Sequence, residues 1–153
     1  MNLTFLNPLL LTLILSFSQF QYRDLVGDWQ LVYFDGIEKV KSSPKYLNSD
    51  KEFRQEVEER INYRLENTVY KFKSDDLLEY TDFENRKIVL KSAKIELEED
   101  NIISIIEDNS IKKAKILELD PYRLVIQPIS DSPGTGKLVF ERIVEEKQKD
   151  ESD

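Results

Sequence analysis

The chain of 153 residues has neither histidine nor cysteine. Imidazole general bases, thiol nucleophiles, Ser-His-Asp triads and nearly all zinc or copper sites are thereby removed. What remains for catalysis is a pair of carboxylates whose pKa values a cleft drives apart, as in glycosidases. Acids are plentiful, with 30 Asp and Glu, but the clusters Asp75-Asp76 and Glu98-Glu99-Asp100 read as turns. Water at a turn leaves both members ionised. Pro133-Gly134-Thr135-Gly136-Lys137 resembles a phosphate loop, yet Asp131 stands where its first glycine belongs and Leu138 where its magnesium-binding hydroxyl belongs. A strand pattern follows it instead of a helix, so a hairpin turn explains it better. Asp108-Asn109-Ser110 opens like a calcium loop, but Ile111 and Lys112 interrupt the ligand spacing, and the glycine and closing glutamate are missing at their offsets. The sequence therefore predicts no catalytic residue, no metal and no cofactor.

The aromatic residues suggest binding instead. Tyr33, Tyr70, Phe72, Tyr80, Tyr122 and Phe140 are the candidates for lining an interior. Tyrosine combines an apolar body with a polar tip, which suits a small apolar or amphipathic ligand. The alternative is a solid interior with no small-molecule ligand, in which case the protein acts through its surface as an inhibitor, immunity or envelope assembly factor. The choice depends on the elements that carry these rings.

A first strand is predicted over residues 26–34, with Trp29, Leu31 and Tyr33 on one face, ended by Asp35-Gly36. Residues 37–48 read as a loop. A helix is predicted over about 49–66, where Ser49 and Glu52 have capping-box spacing and Phe53, Val57, Ile61 and Leu65 form a stripe. So narrow a stripe suits a lid over a barrel end. From Thr68 the apolar period falls to two, and seven further strands are predicted over residues 69–73, 77–81, 87–97, 102–107, 112–119, 122–128 and 137–143. Ile88 and Leu90 are out of phase with Ala93, Ile95 and Leu97, which predicts a bulge near Ser92. The short turns between strands imply an antiparallel meander, and eight such strands close into a small up-and-down barrel with the helix inserted between strands 1 and 2.

Residues 3–18 carry no charge, and their apolar core has the length of a secretory leader rather than the roughly 20 residues of a membrane span. Residues 1–18 are thus expected to be a signal peptide, cut between Ser18 and Gln19. The product would be periplasmic or secreted; an uncleaved membrane anchor is the alternative. No cysteine is available for a lipid tether, so no stable anchor remains after cleavage. Residues 19–144 form the expected single domain, and the charged residues 145–153 an acidic disordered tail. A net charge of −8, with basic residues scattered among acidic ones, argues against a nucleic-acid partner.

Gly27-Asp28-Trp29 after a leader, with Lys137-Leu138-Val139-Phe140-Glu141-Arg142-Ile143 as the last strand, resembles the lipocalin-like (calycin-type) secreted domains of bacteria. The resemblance implies a barrel closed at one end by Trp29, with Arg142 stacked upon the indole in a structural role beside Gly27. It also implies a ligand in the barrel. The chain departs from that pattern in placing its helix early and in lacking a disulfide.

Overall fold

The computed structural model describes residues 20–85, 87–130 and 136–144. The expectations for the leader, for residues 131–135 and for the tail fall outside these.

The elements run in the order α1 (Tyr22–Leu25), β1 (Gly27–Phe34), α2 (Gly36–Lys41), α3 (Pro44–Leu47), α4 (Lys51–Asn67), β2 (Val69–Phe72), β3 (Leu77–Glu84) and β4 (Lys87–Glu98). A 3-10 turn at Glu99–Asn101 leads to β5 (Ile102–Glu107), β6 (Ser110–Leu119), β7 (Arg123–Ile129) and β8 (Leu138–Arg142). Each strand pairs antiparallel with the next, and β1 pairs with β8, so the sheet closes into a barrel. This is the eight-stranded meander, with helix between β1 and β2, that the alternating pattern predicts. Among the described residues no helix is long and apolar enough to cross a membrane.

Three short helices were hidden in the sequence. Residues 37–48 are not a plain loop but hold α2 and α3, with Ser43 Oγ accepting from the Tyr46 amide and Pro44 in the first turn. Elements of four to six residues are too short to show a helical period. The long helix also begins later than expected: Asp50, not Ser49, is its cap, accepting from the Phe53 amide at 2.8 Å. Ser49 instead donates to the Tyr46 carbonyl at 2.6 Å. Of the predicted stripe, Val57 and Ile61 are buried and Leu65 packs against the barrel core, while Phe53 lies beneath Lys45 of α3. Gln30 Nε2 donates to the Thr68 carbonyl at 3.1 Å and also to that of Leu65, tying the end of α4 to β1.

The bulge expected near Ser92 is absent. The β3–β4 register is continuous from Leu77 opposite Lys94 to Glu84 opposite Lys87, and Leu90 is exposed. The irregularities lie elsewhere, between Leu31 and Tyr33 and between Ile116 and Glu118. The upper β3–β4 hairpin outreaches its neighbours: β2 begins at Val69, and β5 ends at Glu107. There the inner face holds charges and the outer face holds Ile88 and Leu90, so no core enforces the usual alternation.

At the lower end the barrel is sealed by α1. Trp29 is completely buried, donates its indole N–H to the Leu25 carbonyl at 2.8 Å, and carries the Arg142 guanidinium 4.1 Å above its ring centre. Arg142 donates from Nε to the Pro121 carbonyl and from Nη1 to that of Val26, each at 2.6 Å, and from Nη2 to that of Asp24 at 2.9 Å. One side chain thus joins α1, the start of β1 and the β6–β7 turn. Gly27 lies beneath it with φ of +135°, where a Cβ would collide with the guanidinium. Gly27→Ala is therefore expected to lose about 2 kcal/mol or more through backbone strain and displaced Arg142, read as a lower midpoint in urea denaturation.

Candidate functional site

Four of the six predicted aromatics converge inside the barrel. Tyr70 sits at the centre, its ring 4.8 Å from Phe140, 5.3 Å from Tyr80 and 6.4 Å from Phe72. Cross-strand register explains the meeting: Tyr70 lies opposite both Trp29 and Tyr80, and interior positions of neighbouring strands share a face. Below this level the interior is filled, since Trp29, Phe72, Leu78, Ile95, Ile103, Ile116, Leu124, Ile126 and Phe140 are all buried. Packing of that kind leaves little room for a deeply held ligand. Tyr70 itself is half-buried and packs against this core from above.

The other two aromatics lie elsewhere. Tyr122 is 71% exposed at the β6–β7 turn, at the sealed lower end, because Asp120 Oδ1 accepts from the Tyr122 and Arg123 amides and organises a turn there. Tyr33 is turned away by the irregularity in β1. It stands opposite Val139, whereas Phe34 stands opposite Leu138, and it is Phe34 and Leu138 that pack against the core. The Tyr33 hydroxyl bonds Glu38 of α2 instead. Arg64 of α4 lies 4.2 Å above the Phe34 ring. Phe34 is thus the aromatic that strict alternation missed, one residue beyond an unrecognised bulge.

Above Tyr70 the inward positions become charged. Register places Tyr80 opposite Lys91, and Asp82 and Glu84 continue its inward phase toward the mouth. Lys91 Nζ lies 3.2 Å from Asp82 Oδ2 and also bonds Glu84. Opposite them Tyr80 donates its hydroxyl to Glu107, which also pairs with Lys112 at 3.3 Å, and Lys112 lies 5.9 Å from the centre of the Tyr80 ring. These charges were legible as residues on the same alternation as Leu78, Tyr80 and Ala93, but charge patterns alone point to solvent.

The neighbours set the proton affinities. Burial raises the Tyr70 phenol to about 12, with the Asp82 charge adding to it. Burial and then the hydrogen bond to Glu107 push the Tyr80 phenol far above its ordinary value, so both remain neutral donors at neutral pH. The bond from Tyr80 holds Glu107 below 4.5 against the opposing effect of burial, with Lys112 assisting. Lys91 is raised by Glu84 and Asp82. On the outer surface Lys113, then Ser104, lowers Glu98, and Lys41, then Tyr46, lowers Glu58.

A stability profile follows. For the three lowered glutamates, stabilisation is full above pH 4.5 and is lost as pH falls through their folded values. For raised phenols such as Tyr70 and Tyr22 it is full below pH 10 and is lost toward about 12. With no histidine or cysteine to titrate between, urea midpoints are expected to form a plateau from about pH 5 to about pH 10, falling on both sides. A step near pH 6 to 7 would contradict this.

Outside the interior the described residues form several concavities. A groove of about 860 Å³ beside α4 is lined by Phe34, Val40, Val57, Ile61, Tyr63 and Arg64 among others. A notch of about 690 Å³ opens between Lys91–Lys94 of β4 and the turn joining β5 to β6. Among the described residues no group of three or more acidic side chains is placed to hold a metal ion. No protein-family model matches the chain, and no curated protein matches its sequence.

Proposed function

We propose that this barrel is an exported, lipocalin-like binding protein that takes a small apolar or amphipathic ligand at its upper mouth. The observation that carries the reading is the partly covered Tyr70 ring, set among Tyr80, Phe72 and Phe140 beneath a rim of charges. An apolar portion would rest on Tyr70, and a polar portion would reach Lys91, Lys112 and the Tyr80 hydroxyl. The filled lower half limits the ligand to the upper half and hence to modest size. On this reading the site binds without turnover and uses neither metal nor cofactor, its tyrosines staying protonated and its rim ions paired. Export rests on the uncharged leader, with cleavage after Ser18.

A second reading is a solid-cored protein-interaction module, and the groove beside α4 favours it: Val40 and Tyr63 there are 41% and 46% exposed. Titration with 1-anilinonaphthalene-8-sulfonate, an amphipathic anion, followed by amide NMR separates the two. The mouth reading expects saturable shifts at Tyr70, Tyr80, Glu107 and Lys112. Shifts confined to Val40, Val57 and Tyr63, or none, would overturn it.

A further inference from the structure

We propose that the upper edge of β4 pairs with the same edge of a second copy of this chain, forming a two-fold dimer centred on Leu90. In an antiparallel sheet, successive residues direct their backbone groups to opposite neighbours. The Ile95 amide bonds the Asp76 carbonyl, and Ala93 lies opposite Leu78, so odd-numbered residues of β4 bond toward β3. Lys94 bonds the other way, toward Ile106 of β5. The next residues in that phase, Ser92, Leu90 and Ile88, meet no strand among the described residues, because the β4–β5 pairing stops at Lys94. The notch beside Lys91–Lys94 marks where the neighbouring strand gives out.

The side chains on this edge fit a second copy. Leu90 is 73% exposed, and Ile88 shares its outer face. A two-fold axis through Leu90 sets Leu90 against Leu90, Ile88 against Ser92, Val89 against Lys91 and Lys87 against Ala93. No like charges meet, and Lys91 already has Asp82 and Glu84 on its inner side. The out-of-phase apolar pair that mimics a bulge in the sequence is, on this account, the apolar face of an intermolecular sheet. The edge carries no proline, and the charge of Lys91 is already paired within its own chain, so the strand is left open to such pairing. Seven paired residues per copy make a small contact, so the dimer is weak and forms only at high concentration.

Sedimentation velocity on the full chain from about 10 µM to about 1 mM tests this. The proposal expects a shift from monomer to dimer, with amide exchange at Ile88, Leu90 and Ser92 slowing as concentration rises. Leu90→Lys sets two like charges across the axis, and Ser92→Pro removes one outward donor while sparing the bonds to β3; each is expected to weaken self-association at least tenfold. Circular dichroism verifies that both variants stay folded, and Tyr122→Lys, at an equally exposed lower site, should leave the dimer intact. A monomer at all concentrations, a dimer that survives both edge variants, or an edge that takes up a foreign extended peptide while the chain stays monomeric overturns the proposal.

Discussion

Trp29→Ala is expected to destabilise the barrel by about 3–5 kcal/mol, the usual range for removing a large buried aromatic. The indole is fully buried, bonds the Leu25 carbonyl and lies under Arg142, so truncation opens a cavity where α1 seals the lower end. The carbonyl of Leu25 loses its partner, and the guanidinium loses the face on which it rests. For a domain of marginal stability such a loss leaves much of the population unfolded. Trp29→Phe retains most of the ring and removes the donor, so it should fall well short of the alanine effect. Urea unfolding followed by far-ultraviolet circular dichroism serves both variants, since neither retains a tryptophan. A loss under about 1 kcal/mol for Trp29→Ala would mean that the ring is not the seal.

The second large effect belongs to Arg142. Its guanidinium donates to three backbone carbonyls on separate segments, those of Asp24, Val26 and Pro121. A lysine ammonium is a point charge on a flexible stem and cannot span three divergent acceptors while lying flat on an indole. Arg142→Lys is therefore expected to lose about 1.5–3 kcal/mol, the range for a charge-assisted hydrogen bond without its partner. Faster amide exchange in α1 should accompany the loss. Arg123→Lys, whose partner is the exposed Glu118 at 3.3 Å, should change stability by less than about 1 kcal/mol. Equal effects at both positions would show that Arg142 acts as an ordinary surface charge.

How much of this was legible beforehand depended on burial. Where one face of a strand meets a core, alternation gave the strand and its inward residues, and Tyr70, Phe72, Tyr80 and Phe140 came together as expected. Alternation failed where the ladder slips or the core ends. Between Leu31 and Tyr33 an irregularity exchanges Tyr33 for Phe34, and nothing local in Leu31-Val32-Tyr33-Phe34 announces it. On the upper β3–β4 hairpin, polar residues face the mouth and apolar ones face outward, which reads as a bulge in an otherwise regular strand. Tyr122 was misplaced for a different reason. Asp120 fixes a turn there, and a ring at a turn escapes the phase of either strand. The charged rim escaped notice because a lysine or glutamate within a strand pattern ordinarily marks the solvent face.

The partly covered ring of Tyr70 gives the barrel its proposed work, and native mass spectrometry of the protein purified from its own host tests that most directly. Binding at the mouth predicts a mass above that of the chain beginning at Gln19, by one small molecule that dissociates on collisional activation, and loss of this adduct in a variant carrying Lys91→Glu and Lys112→Glu. Protein that repeatedly arrives at the bare chain mass, or that carries the same adduct after both lysines are reversed, contradicts it.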